Sequence, residues 1–280
     1  MVSSEEWTAE QTESTVTVDG HELTVAHYEA GTDNGGPPVV FVHGIPTWSF
    51  LWRDVAPAVA EDRHVLAVDM LGYGNSDMRD GFDRSIRAQE GMLADLLADY
   101  ERVSFVAHDI GGGAALRYAS HRPDAVDQLV LSNAVCYDSW PVEFVNDLGL
   151  PATAEKDPAE LEGAFDFAFA DGLAGDPSDH AEFVEGMPEP WRSEVGRTSL
   201  ARCAVATNTN HTTEINYGAI TAETLLLWAA DDVLQPIDYA ERLAEDVAGE
   251  TELVGLSDAY HWVIEDRTEA YRDHLLDFLA

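Results

Sequence analysis

The sequence predicts an α/β fold: a mostly parallel central sheet with helices on both faces and a helical cap inserted late in the chain. Three observations predict it. Val- and Leu-rich runs alternate with helix-patterned segments, the rhythm of parallel strands joined by crossover helices. A pair of alternating polar–apolar segments precedes them and reads as a hairpin. The rhythm then stops between about 139 and 217 and resumes for two further strand–helix units.

The hairpin comes first. Residues 15–18 and 22–28 alternate around Asp19-Gly20, a pair suited to a tight two-residue turn. They are expected as an antiparallel edge. Strand-like runs follow at 39–44, 64–70, 104–109, 128–135, 224–230 and 251–256. The later runs are continuously apolar, as strands buried on both faces should be. Between them, 85–100 places Ile86, Leu93, Leu96, Leu97 and Tyr100 on one helical face, and 111–121, 238–247 and 266–279 read the same way. The stretch 139–217 holds Pro151, Pro158, Pro177, Pro188 and Pro190 and only short helical pieces. Its aromatic residues, among them Phe165, Phe167, Phe169, Phe183 and Trp191, argue for packing rather than disorder. The expected division is therefore a core domain of residues 1–138 and 218–280 and a cap of residues 139–217.

Charge excludes several partners. Acidic residues number 53 against 15 basic ones, a formal net charge of −38, and Lys156 is the only lysine. The acids are spread over regular elements and form no tail. Self-repulsion of this size is relieved by concentrated salt, so a salt-adapted cytoplasmic protein, as from a halophile, is expected. Nucleic acid and anionic membrane are excluded as partners; a small-molecule substrate is expected, with homodimerisation left open. Cys136 and Cys203 make no disulfide framework, and Cys136 reads as a buried small hydrophobe. The start, MVSSEEWTAEQTES, has neither the basic region nor the apolar core of a signal peptide. No apolar run approaches the ~20 residues that cross a bilayer.

Chemistry concentrates at four places. In SFVAHDIGGGAALRYA (104–119), a strand runs into Asp109 and a helix begins at once. Small residues two before and two after Asp109 make the frame of a strand–turn–helix elbow, which lifts the central side chain above the sheet edge. A carboxylate there sits at a helix amino terminus, which favours its charge. It attacks saturated carbon and leaves an alkyl ester of the enzyme, whereas a serine would attack a carbonyl. A helix cap is the simpler role for Asp109; the remaining motifs favour the nucleophile. In VVFVHGIPTWSFLWRDVAP (39–57), the His43-Gly44-Ile45-Pro46 loop can offer the Ile45 N–H, and the elbow the Ile110 N–H, as an oxyanion pair. Trp48 is expected to pack behind this loop. In LLLWAADDVLQPIDYAERL (225–243), two acids follow a strand; Asp232 is the chosen partner for a catalytic imidazole, Asp231 the reserve and helix cap. His261, between the last strand and last helix, completes the order Asp109…Asp232…His261 as nucleophile, acid and base. His108 is read as structural. His180 and His211 show no metal-ligand pairing, so no metal is expected.

With these motifs in place, the sequence resembles the α/β-hydrolase superfamily over nearly its whole length. HGIPTWSFLWRDVAP, VLAVDMLGYGNSD and VAHDIGGG resemble its haloalkane dehalogenase and epoxide hydrolase branch. The resemblance implies displacement of halide by Asp109, hydrolysis of the resulting ester by water with His261, and no cofactor. Asn133 occupies that family's alternative acid position and, being an amide, cannot be the charged partner. Two departures stand out. Haloalkane dehalogenases usually have a halide-binding Trp immediately after the nucleophile, where this chain has Ile110, and many have a polar residue where it has Ile45. Trp140 and Trp191 in the cap are the candidate replacement donors, because indole only donates.

The alternative is an epoxide hydrolase giving a vicinal diol. That chemistry needs a proton donor for the ring oxygen, commonly a cap tyrosine in the family. None lies in 139–216; Tyr137 and Tyr217 flank it, with His180 and His211 as substitutes, and Tyr217 is the candidate. Haloacid dehalogenation fits less well, since that branch usually has Arg where Ile110 stands. A ligand receptor without turnover is the reading from another class, opposed by the complete set of three residues.

Overall fold

The computed structural model describes residues 2–280. Eight strands form one sheet: β1 (Gln11–Val18), β2 (His21–Ala30), β3 (Val39–Val42), β4 (Val65–Val68), β5 (Val103–His108), β6 (Val126–Ser132), β7 (Glu223–Ala229) and β8 (Thr251–Leu256). Their spatial order is β1-β2-β4-β3-β5-β6-β7-β8. The hairpin β1–β2 is antiparallel and joins β4 antiparallel, while β4, β3, β5, β6, β7 and β8 run parallel. The turn residues Asp19 and Gly20 both have positive φ, as the tight hairpin requires.

Every residue of β3, β4 and β5 is buried, the burial on both faces that their apolar runs imply. Strand β8 departs from this pattern: Glu252 and Gly255 are exposed, because β8 is an edge strand and one side faces solvent. The helices Ile86–Leu96, Ile110–His121, Ile237–Asp246 and Thr268–Leu279 fall within a few residues of the periodic segments. A helix at Ser4–Glu10 was not read from the sequence. Its signal is the Ser3…Glu6 capping box, and it anchors through buried Trp7, which stacks on Tyr28.

Between β6 and β7 the described residues form helices and no strand; most are short, such as Glu143–Leu148 and Asn210–Thr213, but Glu194–Val205, with 12 residues, is longer than the short pieces expected. Three indoles pin this stretch over the carboxyl ends of the strands. Trp48 donates to Gly186 O, Trp191 to Pro46 O and Trp262 to Ala168 O, at 3.2, 2.7 and 2.6 Å. Trp48 thus packs behind its loop as expected, stacked on Phe50. Both cysteines are buried and free. No described helix is long and apolar enough to cross a membrane.

Candidate active site

Strand β5 ends at His108, and the helix Ile110–His121 begins one residue later. Asp109 makes the turn with φ 51° and ψ −126°, a conformation that costs a non-glycine residue about 1–3 kcal/mol. Close packing around the turn holds it there. A Cβ on Gly111 would lie 2.3 Å from His43 O, one on Gly112 2.3 Å from Ala134 Cβ, and one on Gly44 2.5 Å from Asp109 Cβ. Only hydrogen fits at these positions. Gly111→Ala is therefore expected to cost about 2 kcal/mol or more, because backbone must move, and urea denaturation measures it.

Asp109 is 3% exposed, and its side chain makes no cap hydrogen bond to the helix. Its Oδ2 instead accepts from the Ile45 N–H at 3.0 Å. Burial raises its pKa to about 6, against the pull of His261 and of the Ile45 and Ile110 N–H groups. The two backbone donors named from the sequence therefore both act on this carboxylate.

His261 Nδ1 pairs with Asp232 Oδ2 at 2.8 Å, and its Nε2 lies 4.0 Å from Asp109 Oδ2. Asp232 is buried, Asp231 exposed. Asp231 is not a helix cap either: the helix Ile237–Asp246 has Pro236 at that position. Burial works against the Asp232 charge, but His261 and the Leu234 and Gln235 N–H groups outweigh it and hold the pKa below the usual carboxylate value. Burial likewise disfavours the His261 imidazolium, yet Asp232 and Asp109 overcome it and raise the pKa.

Supporting contacts escaped the sequence reading. Asn133 donates to Asp232 Oδ2 at 2.6 Å and accepts from Ala229 N–H at 3.1 Å. The amide cannot be the charged partner, but it holds the acid in place. Its φ of 43° suits Asn. His43 receives the Met70 N–H on Nε2 and places Nδ1 2.8 Å from Gly44 O. Burial pushes its pKa down to about 3, so it is neutral and fixes the Gly44-Ile45 loop. His108 places Nδ1 2.9 Å from Ser132 O, and its ring lies 4.7 Å from that of His261; it is a packing group behind His261.

A cavity of about 850 Å³ opens onto Asp109, Asp232 and His261. Trp140 lines it, and its indole N–H is buried with no partner among the described residues. The other two named candidates are elsewhere. Trp191 is fully buried and its N–H is held by Pro46 O. The Tyr217 hydroxyl accepts from the Tyr137 N–H at 2.8 Å and donates to Thr212 O at 3.0 Å, and neither tyrosine lines the cavity. Both expectations are corrected: a donor already satisfied inside the fold cannot serve a leaving group.

A family model described as alpha/beta hydrolase fold matches residues 37–268. A Mycobacterium tuberculosis protein of undescribed activity is 40% identical over 101 residues, which cover 35% of this chain and 29% of that protein. A 2-hydroxymuconate semialdehyde hydrolase from a Pseudomonas species is 28% identical over 93% of this chain and 94% of its own. Haloalkane dehalogenase 2 of Mycobacterium tuberculosis is 27% identical over 86% of each. Among solved structures, an alpha/beta hydrolase fold protein from Burkholderia ambifaria superposes with a TM-score of 0.82 at 26% identity, covering 94% of this chain and 97% of that one.

Proposed function

Because this chain belongs to the alpha/beta hydrolase fold family, we propose that it is a hydrolase that displaces halide from small haloalkanes through an ester on Asp109. One observation carries the reading: a buried carboxylate at a helix amino terminus faces a cavity and stands 4.0 Å from a histidine that is itself paired to a second carboxylate. An Asp109 oxygen bonds to the carbon while the carbon–halogen pair leaves as halide. Water then adds to the carboxyl carbon of the ester as His261 takes its proton. The Ile45 and Ile110 N–H groups stabilise the resulting oxyanion. Collapse releases the alcohol, which takes the proton from His261, and the second proton of the water leaves Asp109 for solvent, restoring the carboxylate. The 4.0 Å separation is too long for a direct hydrogen bond and suits a base acting through water.

Trp140 supports halide as the leaving group: the residue lines the cavity, and its buried indole N–H has no partner among the described residues. Trp140→Phe keeps the ring and removes the donor. It is expected to lower kcat for a 1-bromoalkane by roughly 10²-fold, as read by halide release.

A second reading, epoxide opening to a diol, rests on Tyr260, the one tyrosine on the cavity wall among the described residues. Its hydroxyl could protonate a ring oxygen. One experiment separates the readings: incubation with a 1-bromoalkane and with styrene oxide, following adduct mass on Asp109. Halide release supports the dehalogenase, and diol formed only from the epoxide supports the second reading. Binding without any adduct overturns both in favour of a receptor.

A further inference from the structure

The only lysine of the chain, Lys156, lines the same cavity. It is partly buried, and it forms no ion pair or side-chain hydrogen bond among the described residues. That is unusual in this molecule, where 53 acids surround 15 cations. Among the arginines, only the exposed Arg87 is similarly unengaged. Even Arg53, deep in the core, is paired with Glu265 at 2.7 Å. The exposed acids on the cavity wall, Glu143, Asp147, Asp171 and Asp231, do not pair with Lys156.

Exposed apolar side chains also border the cavity. Among the described residues, four of the seven exposed large apolar side chains border this cavity: Phe167, Val233, Leu234 and Tyr260, with Val233 87% exposed. Exposed apolar side chains bordering a cavity mark a surface that takes a lipophilic ligand. An ammonium left without a counter-ion on that wall selects what the ligand carries at its far end.

Building on the reading of Asp109 as nucleophile, we propose that the substrate is amphiphilic: an alkyl chain with its reactive carbon at Asp109 and a carboxylate held by Lys156. The net charge of −38 does not forbid this. At 0.15 M ionic strength exposed charges are screened beyond about 8 Å, so the distant surface acts little on a carboxylate inside the cavity, while the wall acids Glu143, Asp147, Asp171 and Asp231 are exposed and weakened by solvent. The partial exposure of Lys156 limits the gain to about five- to tenfold in affinity.

Binding of unreactive probes tests this without turnover, so its failure is distinct from failure of the nucleophile reading, which the Asp109 adduct decides. Decanoate and decanamide share a chain and differ in charge. Calorimetry on the full chain in 0.15 M salt is expected to show decanoate bound about five- to tenfold more tightly. The preference should vanish in Lys156→Met and persist in Lys156→Arg, with thermal melts establishing that each variant is folded. Equal affinity in the unaltered protein, a preference that survives Lys156→Met, or no binding of either probe overturns the proposal.

Discussion

Replacing His261 with glutamine is expected to halt the reaction at the alkyl-enzyme, leaving a stable ester on Asp109. Alkylation needs only the carboxylate and a positioned leaving group. Hydrolysis of the ester needs a proton taken from water, and no other described group beside Asp109 is placed to take it: neutral His108 faces Ser132 O and packs behind the His261 ring. Loss of a general base costs roughly 10²–10⁴-fold, so turnover should fall by about three orders of magnitude while one equivalent of halide is still released. Intact-mass spectrometry then shows the added alkyl group, and peptide mapping places it on Asp109. An adduct that clears at the normal rate would mean that His261 is not the base. Absence of any adduct would mean that Asp109 is not alkylated.

The second large effect is loss of the carboxylate itself. Asp109→Asn should abolish both halide release and adduct, a fall of at least about 10⁴-fold, because an amide is no nucleophile toward saturated carbon. Stability should not fall with it. Asn tolerates the positive φ of this turn, and the substitution removes a buried charge held in a strained conformation. A melting temperature equal to or above that of the unaltered protein is expected, the usual cost of a working site to its fold. Inactivity accompanied by unfolding would leave turn packing, not chemistry, as the role of Asp109.

The same groups predict how the two steps respond to pH. In the proposed mechanism Asp109 attacks only when ionised. With its pKa raised by burial to about 6, the rate of adduct formation should decline as pH falls through about 6. His261 acts only when neutral, so ester hydrolysis also fails on the acid side. Alkylation, however, turns Asp109 into a neutral ester and removes one of the charges that raise the His261 pKa. The acid limb of ester decay should therefore lie below the pH at which His261 titrates in the free protein. Single-turnover kinetics across pH, with imidazole titration followed by NMR, check both limbs.

Much of the fold was legible because its signals are local. The Val-rich run 39–42 and the turn Asp19-Gly20 specify strand and hairpin from neighbouring residues alone. The edge exposure of β8 was not legible, since whether a further strand pairs beyond it is a property of the whole sheet. The helix Ser4–Glu10 escaped because a single short turn of periodicity is a weak pattern, and its buried Trp7 finds its partner, Tyr28, only after the hairpin has formed.

For the site, sequence alone determined which residues stand at the elbow, after β7 and before the last helix. These positions follow from strand–helix punctuation and the small residues flanking Asp109. Tertiary structure decided the rest. It buried Asp232 and exposed Asp231, made Asn133 a support, and tied the Trp191 and Tyr217 donors into the fold while leaving the Trp140 N–H free. The physical reason is that a donor or acid is defined by what already satisfies it. Apart from Thr212, five residues from Tyr217, those partners come from segments about a hundred residues or more away, whose approach no local pattern encodes.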